Sequence, residues 1–139
     1  MIKSMGKLHP LMNYFFVGLI FVTYLSYVVY YGFRRHVLFF LHHGLFNHVI
    51  SAAFAVLVVI TGLAQASNPY VQQKVTFIFL FPHKWLGILL LLYTLATFPL
   101  IWLKQRDLNW KIGVLVGIVG LGLVISVVTF GWLLRLMFF

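Results

Sequence analysis

The sequence predicts an all-α protein: a four-helix transmembrane bundle forming a single membrane domain over residues 1–139. Three observations predict it. First, 63% of the residues are hydrophobic and 8% charged, which leaves too little polar surface to keep a domain of this size in water. Second, the apolar residues gather into four long runs. About 20 residues of helix, at about 1.5 Å each, cross a hydrocarbon core of roughly 30 Å. Third, Trp85, Trp102, Trp110 and Trp132 all fall near the ends of those runs, where an aromatic belt sits at the membrane surface.

The first span is expected over 11–33. His9-Pro10 stands at its start, where proline is tolerated because the first helical turn has no partner for its N–H. Gly32, Arg34 and Arg35 close it. The run is too long for the hydrophobic core of a signal peptide. The second apolar stretch, 37–66, exceeds the length of one span. Its membrane-crossing part is expected at 46–66, with 37–45 an interfacial turn or helical extension, and Ser67-Asn68-Pro69 ends it. The run 75–81 is too short to span and is expected to lie along the interface or re-enter. The third span is expected over 83–103, with a kink at Pro99, and the fourth over 111–134. No internal repeat is evident.

Ten Lys and Arg face a single acid, Asp107. The basic residues cluster where the apolar runs stop, which reads as contact with anionic lipid head groups; nucleic acid is excluded as a partner. An even number of spans puts both termini on one side, here side A. Lys3, Lys7, Lys74, Lys84 and Arg135 then fall on side A, and Arg34, Arg35, Lys104, Arg106 and Lys111 on side B. The tighter juxtamembrane placement on side B favours the cytoplasm for that side. Cysteine is absent, which rules out disulfides, iron–sulfur clusters, thiol catalysis and covalent haem attachment. With one acid there is no carboxylate pair or relay for a proton pump or cation transporter.

Six histidines carry the chemistry that remains: His9, His36, His42, His43, His48 and His83. All are expected near span ends, where an imidazole can reach head groups or water, so each has an ordinary interfacial reading. The functional reading is ligation of a tetrapyrrole metal. A b-type haem in a bundle takes two His from two helices, facing inward at similar depth. His9 and His83 both open spans on side A and satisfy that condition. His48 and His83 are expected at opposite ends, roughly 27 Å apart along the membrane normal, and cannot share one haem. His42, His43 and His48 lie on one segment, which cannot sandwich a macrocycle by itself.

Small residues follow two of these histidines at helical spacing: Ala52, Ala55, Val59 and Gly62 after His48, and Gly87, Leu90, Thr94 and Thr97 after His83. They leave room for a flat ring or for close helix packing. Gly113, Gly117 and Gly120 read as a packing stripe. Tyr24, Tyr27 and Tyr31 share one face of the first helix and read as packing or belt.

The order of these features resembles a family of small membrane proteins found in phototrophs and related to the cytochrome b, ferric-reductase-like four-helix bundles. The motifs are His9-Pro10, His42-His43 to His48, Phe81-Pro82-His83 with Gly87, and Phe98-Pro99-Leu100. Each is two or three residues long, and together they span most of the chain. The family pattern places a His near the start of the fourth helix. Here the stretch is Asn109-Trp110-Lys111-Ile112-Gly113, so the resemblance carries over the side A pair alone.

Two functions are expected from these readings. The first is a membrane-embedded b-type haem protein carrying electrons within the bilayer as part of a larger complex, with His9 and His83 as axial ligands of haem b. The alternative is a non-catalytic accessory subunit of a photosynthetic or respiratory complex. It would bind chlorophyll through a single His (His43, His48 or His83), or contact quinone or lipid. Either would sit beside other membrane subunits in a bacterial inner or photosynthetic membrane.

Overall fold

A computed structural model describes residues 2–74 and 77–138, with side chains described from His9 onward except that of Lys74. Val75 and Thr76, and the side chains of Lys3, Lys7 and Lys74, lie outside the described part. The chain forms α1 (Ile2–Gly32), α2 (Leu38–Ala66), a short α3 (Pro69–Lys74), α4 (Phe77–Lys104), a 3-10 turn (Gln105–Asp107) and α5 (Trp110–Phe138). Four segments are long and apolar enough to cross a membrane: His9–Gly32, Leu38–Ala66, Phe77–Asp107 and Trp110–Phe138.

Three helices begin well before the expected spans: α1 at Ile2, with Pro10 inside it, α2 at Leu38, as a helical extension, and α4 at Phe77. α2 starts at Leu38 rather than at 46, because Leu41, Gly44 and Leu45 are buried and packing extends the helix through them. α4 starts at Phe77, so Phe77–Phe81 is its opening rather than a re-entrant or interfacial piece. Pro82 is carried inside this helix, where it forgoes one backbone hydrogen bond.

α1 packs against α2 and α5, and α4 packs against the same two helices. α1 and α4 therefore stand diagonally across the bundle, as do α2 and α5. The two hairpins, α1–α2 and α4–α5, bury matching positions. Phe16, Ile20, Thr23 and Tyr27 of α1 correspond to Leu90, Thr94, Thr97 and Ile101 of α4, each 74 residues on. Gly44, Asn47, His48, Ser51, Ala55 and Val58 of α2 correspond to Gly113, Val116, Gly117, Gly120, Val124 and Val127 of α5, each 69 residues on. Part of the burial pattern thus recurs at one spacing for each pair of helices across the two hairpins. The sequence hides it because burial repeats while residue types differ. The same offsets pair His9 with His83 and Gly62 with Gly131.

The core is a tyrosine column set into glycines. Tyr24, Tyr27, Tyr30 and Tyr31 are buried on α1. A Cβ at Gly113 would stand 2.3 Å from the Tyr31 ring, one at Gly120 2.4 Å from the Tyr24 ring, and one at Gly44 2.7 Å from Tyr27. Glycine is thus required for the rings to lie between the helices, and the two stripes noted in the sequence are halves of one interface. Leu57, Ile60, Leu92, Leu115, Ile118 and Ile125 remain exposed, as expected where the solvent is lipid.

Side B is closed by polar contacts. Arg35 donates to the carbonyls of Arg106 at 2.6 Å and Leu108 at 2.9 Å, and the Tyr31 hydroxyl donates to the Gln105 carbonyl at 2.6 Å. Gln105 adopts a left-handed φ of 39°, a conformation that favours glycine; it turns the chain from α4 towards α5.

Candidate cofactor site

The open end of the bundle is side A. A cavity of about 570 Å³ lies there, lined by residues that include His9, Asn13, Tyr14, Gly62, Gln65, His83, Gly131 and Arg135. Its size falls within the roughly 300–1,000 Å³ typical of small-molecule and cofactor sites. A smaller cavity of about 70 Å³ adjoins it. It shares His9, Asn13, Gly62, Ala66, Leu80 and His83, and adds Lys84 and Gly87.

His9 and His83 come from the diagonal pair α1 and α4, yet both line the two cavities. Each ring rests on a glycine of the next helix. A Cβ at Gly62 would stand 2.9 Å from the His9 ring, and one at Gly131 2.9 Å from the His83 ring. Each ring is also held through the same nitrogen. His83 Nδ1 lies 3.2 Å from the Val127 carbonyl, which can only accept, so Nδ1 carries the proton. His9 Nδ1 lies 3.1 Å from Thr61 Oγ1. That hydroxyl already donates to the Leu57 carbonyl at 2.8 Å, so it accepts from His9. In both rings Nε2 is then the nitrogen with a lone pair. An N–H anchored to a backbone carbonyl or hydroxyl is the usual way a protein fixes the tautomer of a metal-binding imidazole.

His48 is different. The sequence reading set it near the side B end of its span; the longer α2 puts it ten residues in, about 15 Å from Leu38. The longer helix therefore carries this histidine inside the bundle. Its Nε2 lies 2.9 Å from the Thr94 carbonyl and so donates, and its Nδ1 accepts from the Tyr27 hydroxyl at 2.8 Å. Tyr24, Tyr27 and Phe98 enclose the ring, and the residue is fully buried. Both nitrogens are engaged, so in this arrangement His48 ties α1, α2 and α4 together and offers no lone pair to a metal. Thr94 is eleven residues from His83, which places His48 about 17 Å from His83 along the helix axis, nearer than the separation expected from the sequence and still too far to share one macrocycle.

Tyr27→Phe is expected to leave His48 Nδ1 buried without a donor and to destabilise the bundle by about 1–3 kcal/mol. Denaturant titration in detergent would measure it. An unchanged midpoint would show that the hydrogen bond carries no net stability.

The other histidines stay near side B. His43 is half-buried, its Nδ1 3.4 Å from Ser26 Oγ, with the Asn47 amide 3.2 Å from its Nε2 and Phe39 stacked on the ring. His36 and His42 are exposed. Among the described residues no group of three or more His, Cys, Asp or Glu could hold a metal ion, so a metal here would need to bring most of its own ligands, as a tetrapyrrole does. Sequence reasoning found His9, His83 and Gly62. It passed over Thr61, Val127 and Gly131, because contacts between helices leave no local spacing to read.

No family model, curated protein or solved structure matches the chain. Fold and site together define a small four-helix membrane protein with a histidine-lined cavity at one end.

Proposed function

We propose that the protein is a b-type haem carrier, with His9 and His83 as the axial pair and the cavity at side A as the haem site. The observation that carries this reading is the matched environment of the two rings. They stand on diagonal helices, each against a glycine, each anchored through Nδ1, and both on one cavity. Two neutral imidazoles are the donor set of a low-spin haem iron, and the cavity lining otherwise offers amides, a phenol, an arginine and apolar side chains. Haem bound there would supply a one-electron couple within the bilayer. The chain's own residues orient the ligands, fix their tautomers and surround the site with apolar side chains that limit water. The family resemblance and a place in a larger complex belong to this reading.

The accessory reading, in which chlorophyll is held by one His, has less support. His48 has no free nitrogen, and the ring of His43 lies against Asn47, Ser26 and Phe39. His83 serves either reading.

Reconstitution tests the proposal. The full chain in detergent, titrated with haem b and reduced with dithionite, is expected to take up about one haem per chain and show the sharp α band of a six-coordinate b-type centre. Absence of that band in folded protein at saturating haem would overturn it.

A further inference from the structure

Arg135 has no obvious role in binding the iron, and its setting is unusual. It lies on α5 four residues beyond Gly131, hence on the same helix face and about 6 Å nearer the membrane surface. Gly131 is the residue against which the His83 ring rests. Arg135 lines the same cavity as His9 and His83 and donates to the hydroxyl of Tyr14 on α1. The only acid in the chain, Asp107, stands at the opposite end of the bundle. Lys84, the other described cation at this end, belongs to the smaller cavity, with its ammonium over the Trp85 ring. Arg135 is thus an exposed, permanent cation at the rim of the cavity, in contact with a neutral phenol, and among the described residues no acidic side chain stands at this end.

Resting on the haem reading above, we propose that Arg135, steadied by Tyr14, binds a carboxylate on the edge of the macrocycle. A guanidinium can take a carboxylate in a bidentate contact. Arg135 shares its cavity with both histidines, so a macrocycle held by them would lie within the arginine's cavity. The arginine thereby sets which edge of the macrocycle points to the membrane surface. Its positive charge at the rim of the site would favour the reduced state of a haem bound there.

The test compares haem b with its dimethyl ester, in which both carboxylates are masked, using the full chain in phosphatidylcholine vesicles. The ratio of the two affinities is measured for wild type, Arg135→Gln and Arg135→Lys, and comparing ratios cancels the ester's greater partition into lipid. Wild type is expected to prefer the free acid about tenfold more than Arg135→Gln does, with Arg135→Lys between them. Arg135→Gln is also expected to lower the reduction potential of bound haem b. Tyr14→Phe, which keeps the charge, is expected to shift the ratio less and in the same direction. An equal ratio in wild type and Arg135→Gln overturns the proposal while leaving the haem reading intact. So does an effect of Arg135→Gln that appears only when phosphatidylglycerol is added, which would assign the arginine to lipid phosphate. Failure of wild type to bind either haem overturns the haem reading and this proposal together.

Discussion

His83→Ala is expected to abolish the six-coordinate haem spectrum. On the haem reading proposed above the ring would supply one of two axial nitrogens, and no other described imidazole reaches the cavity besides His9. A five-coordinate haem held by His9 alone would be high-spin, lose the sharp reduced α band and bind more weakly. His9→Ala is expected to do the same, because the two rings occupy equivalent settings. Added imidazole should restore the band in either variant, since alanine leaves a space of matching shape beside Gly131 or Gly62. A variant that had merely unfolded would not be rescued. His48→Ala serves as the contrast: both of its nitrogens are committed to Tyr27 and Thr94, so it should weaken the bundle and leave the band in place. Loss of the band in His48→Ala with retention in His83→Ala would sink the side A assignment.

Gly120→Ala is expected to destabilise the bundle by about 1–3 kcal/mol, the range for forcing an extra methyl into a filled core. Its Cβ would stand 2.4 Å from the Tyr24 ring, a distance no real contact sustains. Tyr24 has little freedom to yield. It is fully buried, and its hydroxyl lies 3.2 Å from Thr97 Oγ1 and 3.4 Å from Thr94 Oγ1 on the diagonal helix. The cost therefore falls on the α1–α5 separation, and with it on the core of the bundle. Gly122, two residues on, has nothing within 4 Å of the equivalent position. Gly122→Ala should be neutral or stabilising by up to about 1 kcal/mol through helix propensity. Thermal or denaturant unfolding of the two variants in the same detergent checks the contrast. Equal midpoints would mean that the glycine stripe is not what seats the tyrosines. In a bilayer this matters more than in water, because lipid contacts replace the hydrophobic drive and close packing holds helices together.

The sequence by itself determined the class of fold and where its chemistry gathers. Four apolar runs bounded by cations and tryptophans leave a membrane bundle as the stable solution, since backbone polar groups in hydrocarbon must be satisfied within each helix. The side A pair was also legible, because His9 and His83 each open a span and an even count of spans brings both to one end. The tertiary structure decided the rest. Helix lengths depended on it: the sequence leaves Leu38–Leu45 as a turn or a helical extension, and contact with α1 makes it helix. That extension carries His48 from an expected interface to the interior, where Tyr27 and Thr94 occupy it. The diagonal placement of α1 and α4, the glycine beneath each ring and the Nδ1 anchors all depend on which helices are neighbours. Residues 53 or 44 positions apart in the chain meet there, and no periodicity within a single helix encodes such a meeting. Depth in the membrane follows from composition, whereas rotation about each helix axis is set by packing, and the cavity owes its shape to the latter.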